Sequence, residues 1–160
     1  MRKIISIFIS LIILSGSQLA LAQEQKTSST KIGVGASLFN FTEFSFEDQT
    51  INSVYVTFDF NNKFRIEPLV GFALSDGLSH YSLGIGAFGL KPLTNFNLLY
   101  GLRVGIGNSK AVYVAPAIAC EYFFIDKFSI GSEIQLRGSN YAGDWTLMTN
   151  SSIICRFYFE

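Results

Sequence analysis

The segment from Asn62 to Phe72, NKFRIEPLVGF, admits very few folds. Read alternately, it puts Phe64, Ile66, Pro68, Val70 and Phe72 on one side and Lys63, Arg65, Glu67, Leu69 and Gly71 on the other. That is the period of a strand and not of a helix. An unbroken apolar row backed by three charges needs hydrocarbon on one side and paired charges on the other. A small transmembrane β-barrel supplies both.

The same alternation recurs along the chain and predicts eight strands: 31–39, 51–60, 62–72, 80–90, 96–107, 111–124, 128–137 and 145–159. Turn chemistry separates them, with Asn61-Asn62 suited to a tight hairpin because Asn tolerates positive φ. Pro68 and Pro116 each remove a ladder donor and predict bulges, and the weak apolar row at Thr149 and Ser151 allows another. Links two-to-three, four-to-five and six-to-seven are short, whereas 40–50 and 138–144 are longer and more polar. In an even-stranded outer-membrane barrel this parity puts both termini and the short turns on the periplasmic side.

Alternation alone leaves the inside undecided, and a soluble periplasmic lipocalin-like carrier, apolar within, is the competing architecture. Two counts oppose it. The polar face carries Asp59, Lys63, Arg65, Glu67, Arg103, Glu121, Glu133, Arg137 and Arg156, five positive and four negative, while the apolar face carries no charge. A water-exposed wall would hold many more. Gly33, Gly35, Gly71, Gly84, Gly86, Gly101, Gly105, Gly107 and Gly131 share the charged face, and only Gly89 departs. Small residues inside an eight-stranded barrel make room for long side chains that must pair once withdrawn from water. Phe60, Phe64, Phe96, Phe124, Phe128 and Phe159 gather at the short-turn ends, as an interfacial girdle would.

The N-terminus has the form of a cleavable signal peptide, residues 1–22: Arg2 and Lys3, an apolar run from Ile4 to Leu14, and the small-residue site Ala20-Leu21-Ala22. The remaining 23–160 suffice for one domain. Without Arg2 and Lys3 the 12 basic and 12 acidic residues become 10 and 12, a balance that does not point to nucleic acid. Cys120 and Cys155 fall on strands six and eight, too far apart for a disulfide, and are expected to face lipid.

Few residues suggest chemistry. His80 and Ser82 share one face of a strand and form the only candidate nucleophile pair, similar to that of lipid A deacylase barrels, though no acid orients the histidine. Glu121 and Glu133 could form an acid/base pair, but Arg103, Arg137 and Arg156 on the same face favour a structural ion network. GIGAFG and GLRVGIG precede no helix and are not phosphate loops. No cofactor or metal is implied. The first loop, NFTEFSFEDQT, combines Phe41, Phe44 and Phe46 with Glu43, Glu47 and Asp48, and could offer an edge to an external partner.

Signal peptide, eight alternating strands, paired interior charges and the C-terminal ICRFYF together resemble the small outer-membrane β-barrel family of OmpX/OmpA-membrane-domain type. ICRFYF is similar to that family's assembly signal, although Glu160 follows the aromatic Phe159. The resemblance implies an all-β, eight-stranded antiparallel up-and-down barrel in the bacterial outer membrane. It also implies a monomer surrounded by outer-membrane lipid, inserted by the assembly machinery and with no catalytic role.

Overall fold

The computed structural model describes residues 30–42, 52–75, 78–107, 111–141 and 143–159. They form eight strands: β1 (Thr30–Thr42), β2 (Asn52–Phe60), β3 (Phe64–Ser75), β4 (Leu78–Pro92), β5 (Phe96–Gly107), β6 (Val112–Ile125), β7 (Phe128–Tyr141) and β8 (Asp144–Phe159). Each pairs antiparallel with its neighbours in sequence, and β8 returns to β1, closing the barrel. Closure removes every sheet edge, so the backbone groups of the wall are paired within the wall. The proposed signal peptide and most of the 40–50 loop lie outside the described residues.

Alternation decides which side chains line the lumen. Along β6, Val112, Val114, Ile118 and Cys120 are exposed, while Tyr113, Ala115, Ala117, Ala119 and Glu121 are buried. The sense is inverted relative to a soluble barrel: the outer wall is apolar and the interior charged. Ile85, Val104, Ile118, Ile134 and Phe157 all point outward, and Arg65, Glu67, Arg103 and Glu121 touch no solvent at all. Cys120 and Cys155 are free and face outward on β6 and β8, with β7 between them.

Local deviations differ from those the sequence suggests. Register runs unshifted past Pro68 and Pro116; each pairs on one side, with Ile85 and Leu102 respectively, and turns its missing donor to the other. The bulges fall instead at Leu38, where β1 slips against β8, and at Phe124, where β6 slips against β7. Each follows from neighbouring large apolar residues that both face outward, Leu38 with Phe39 and Phe124 with Ile125. No irregularity marks Thr149 or Ser151 in the β7–β8 pairing.

The connections are tighter than expected. Asn61 and Asn62 adopt φ of 55° and 53°, the left-handed pair of a tight hairpin, and Lys63 completes that turn. Strands β7 and β8 pair out to Tyr141 and Asp144, so the long 138–144 link collapses to a hairpin tip with Gly143 at φ 100°. Backbone bonds then tie each short turn to the next hairpin: Leu90 N donates to Lys63 O, Phe123 N to Asn95 O and Tyr158 N to Lys127 O. At the same end Phe60 packs on Phe64 and Phe124 on Phe128, with ring centroids 6.5 and 5.9 Å apart.

Candidate functional site

Charged side chains meet in the lumen because their strands cross it from opposite sides. Arg65 on β3 reaches back to its hairpin partner Asp59, with Nε–Oδ1 at 2.6 Å and Nη2–Oδ2 at 2.8 Å. Its Nη2 also donates across the barrel to Glu121 on β6 at 2.7 Å and to the Tyr158 hydroxyl at 2.8 Å. Glu121 accepts further bonds from Ser129 at 2.6 Å and Tyr158 at 2.7 Å. Arg156 lies 3.5 Å from the same carboxylate.

Glu67 is the hub of the second layer. It accepts Arg156 Nε at 2.7 Å, the Thr57 hydroxyl at 2.8 Å and Arg103 Nη2. Arg103 also grips Glu133 through Nε at 2.6 Å and Nη2 at 2.7 Å, the fork geometry that suits a carboxylate. Two rings flank this guanidinium, with its Cζ 4.8 Å from the Phe88 centroid and 5.1 Å from that of Tyr55. Gln135 continues the chain upward, donating to Glu133 at 2.6 Å and accepting from Arg137 at 3.1 Å, while Arg137 stacks 4.3 Å from Tyr113.

Glycine makes the layers possible by subtraction. A Cβ on Gly35 would stand 2.8 Å from Arg156 Cγ, and one on Gly86 2.7 Å from Arg103 Nη1. Opposite Tyr113, Gly84 and Gly105 leave no space for a methyl either. Outside, Gly89 seats the ring of its cross-strand partner Tyr100, and Gly138, the other outward-facing glycine of the described strands, lies beside Trp145.

One sequence-predicted member lies at the rim instead of in the lumen. Lys63 is exposed at the β2–β3 turn, because the alternation that begins at Phe64 does not extend back through the left-handed asparagines. Without it the lumen holds Arg65, Arg103, Arg137 and Arg156 against Asp59, Glu67, Glu121 and Glu133, four of each sign and no net charge. Arg137 is the outlying cation, reaching the carboxylates through Gln135. Tyr158, Thr57, Ser129 and Gln135 were not singled out from sequence, although each sits at an inward register position beside a charge and could have been found there.

The remaining candidates are dispersed. Ser82 pairs in register with Gly71 and Gly107, and His80 precedes it by two positions on β4, paired with Ala73; the His80 side chain lies outside the described residues. Glu121 and Glu133 are each held by arginine, Arg65 and Arg103 respectively. Among the described residues no group of His, Cys, Asp and Glu could hold a metal ion.

No protein-family model matches the chain, and no curated protein matches it in sequence. Solved structures do match. Neisserial surface protein A superposes with a TM-score of 0.58 at 11% identity, over 84% of this chain and 100% of that one. The Yersinia pestis outer membrane protein Ail gives 0.51 at 12% identity, over 82% and 99%. The designed barrel TMB2.3 gives 0.55 at 9% identity, over 86% and 99%. The fold is that of a small outer-membrane barrel. At such identities the likeness is one of architecture, and the ionic lumen is built by residues of this chain.

Proposed function

We propose that this protein is an integral outer-membrane β-barrel of the OmpX type, with a structural or surface-interaction role, no enzymatic activity and no open pore. The observation that carries this is the inverted polarity of the wall. Large aliphatic and aromatic side chains cover the outside of every strand, while a neutral set of eight charged groups lines the lumen, seven of them buried and Arg137 half-buried. Only a hydrocarbon surround makes that arrangement favourable. Both termini and the short turns are periplasmic, and the 40–50 loop on the far side is the segment offered to an external partner. The C-terminal Phe157 and Phe159 face outward, ready for the assembly machinery, and the barrel is a monomer.

The same contacts support the proposal of a closed lumen without catalytic chemistry. Arg65, Glu67, Arg103 and Glu121 fill the cross-section with no exposed surface, as expected for eight strands, and every buried carboxylate is engaged by an arginine. Membrane fractionation followed by electrophoresis with and without boiling tests the insertion. The folded barrel is expected in the outer-membrane fraction, migrating anomalously until heated; release by salt without detergent would refute the proposal. Planar-bilayer recordings should show no steady conductance, and lipid A should keep the same acyl chains with and without the protein.

A further inference from the structure

Each of the four places where the chain passes the short-turn end carries one lysine. Lys31 stands at the start of β1, Lys63 in the β2–β3 turn, Lys91 next to the end of β4 and Lys127 in the β6–β7 turn. All four are exposed, and Asp126 is the one exposed acid beside them among the described residues. The lysine positions are fixed by backbone, since the carbonyls of Lys63 and Lys127 are bonded to Leu90 and Tyr158 on the next hairpin. Immediately inside this rim lies the phenylalanine girdle, Phe60 with Phe64 and Phe124 with Phe128. In sequence the short-turn end carries Lys31, Lys63, Lys91 and Lys127 against Asp126 and Glu160, whereas the links between strands at the other end carry Glu43, Glu47, Asp48, Asp76 and Asp144 against Lys110.

We propose that this lysine rim binds the anionic phosphate headgroups of the adjoining lipid leaflet and so fixes the depth and direction of the barrel. A globular partner would approach from one side and need its charges gathered into a patch. Lys31 keeps the inward parity of Gly33 and stands over the mouth of the lumen, while Lys63, Lys91 and Lys127 are set around the circumference at the same end, next to rings that sit at a hydrocarbon boundary. The matching surface is therefore an annulus of lipid headgroups. Lysine suits it, because a long aliphatic stem can run along apolar surface while its ammonium reaches toward phosphate.

The proposal rests on the membrane reading, and the test separates the two. The protein is folded from urea into phosphatidylcholine vesicles and into vesicles in which a quarter of the lipid is phosphatidylglycerol, at low salt. Urea unfolding is then followed by the heat-sensitive gel shift. The folded-to-unfolded ratio should be higher with phosphatidylglycerol, and the gain should vanish in 0.5 M sodium chloride. Lys91→Gln should forfeit about fivefold of that gain, as one lysine near an anionic surface contributes. Lys110→Gln should forfeit none, and joint replacement of Lys31, Lys63, Lys91 and Lys127 by Gln should remove the gain, read as the difference between the two kinds of vesicle so that any loss common to both cancels. Equal stability of the natural chain in both vesicles, or equal losses from Lys91→Gln and Lys110→Gln, would overturn the rim proposal. Failure to insert into phosphatidylcholine at all would instead overturn the membrane reading.

Discussion

Removing Arg103 should cost far more alone than together with Glu133. Arg103→Met leaves Glu133 with only Gln135 and deprives Glu67 of one of its two arginines, so the lumen moves from four charges of each sign to an excess of one negative. Breaking a fully buried pair on one side costs about 3–5 kcal/mol, because the abandoned charge stays out of water. Glu133→Gln alone leaves an excess of one positive charge and should cost a similar amount. The double variant restores neutrality at three of each sign, and a methionine between Phe88 and Tyr55 fills the site with compatible sulfur–aromatic contacts. Its cost should fall below the sum of the singles by at least about 2 kcal/mol, roughly thirtyfold in the unfolding equilibrium. Urea titration in phosphatidylcholine vesicles, read by the emission of Trp145, the only tryptophan, gives all four corners of the cycle. If the two losses add within about 0.5 kcal/mol, the lumen charges are independently solvated and the account of a sealed, mutually dependent network is wrong.

Three further outcomes follow from the same geometry. Gly35→Ala should destabilise the barrel by about 1–3 kcal/mol, because the new methyl meets both Arg156 Cγ at 2.8 Å and the Cys155 carbonyl at 2.9 Å, and the latter is backbone that cannot swing aside; an unchanged urea midpoint would contradict it. Ile85→Arg, half-way along β4 on the outer wall, should cost about 2–4 kcal/mol in a bilayer, and a neutral effect on folding into vesicles would count against lipid contact there. Cys120 and Cys155 should leave electrophoretic mobility under non-reducing conditions unaltered after treatment with oxidant, since β7 separates them; a faster-migrating oxidised monomer would place them in contact.

The wall was legible because lipid and lumen select side chains at every second position, a signal that survives even where individual residues are ambiguous. Its failures came where that selection stops. Lys63 continues the alternation on paper, yet it belongs to a turn, and water there imposes no parity. Gly138, Ser139 and Asn140 look like loop because they lack an apolar row; their strand needs none where the hairpin runs on beyond the apolar wall. Leu38 and Phe39 break the period, and two adjacent outward-facing apolar residues are the signature of the bulge in β1, where the prolines leave the register unshifted. The pairing itself was not legible. That Arg65 meets Glu121 and Arg156 meets Glu67 depends on strand tilt and on which side chains reach across the axis, and neither leaves a mark in the local pattern.

Those transverse contacts bear on how the molecule can be made. Arg156 is on the last strand and Glu67 on the third, so they come together only when β8 zips onto β1. A sheet of seven strands would leave Glu67 with Arg103 as its one arginine and Glu121 without Arg156 or the Tyr158 hydroxyl, and its concave ionic face would be open on the missing side. Taking that face out of water is favourable only once the final seam is stitched, so entry into oil and sealing are expected to go together.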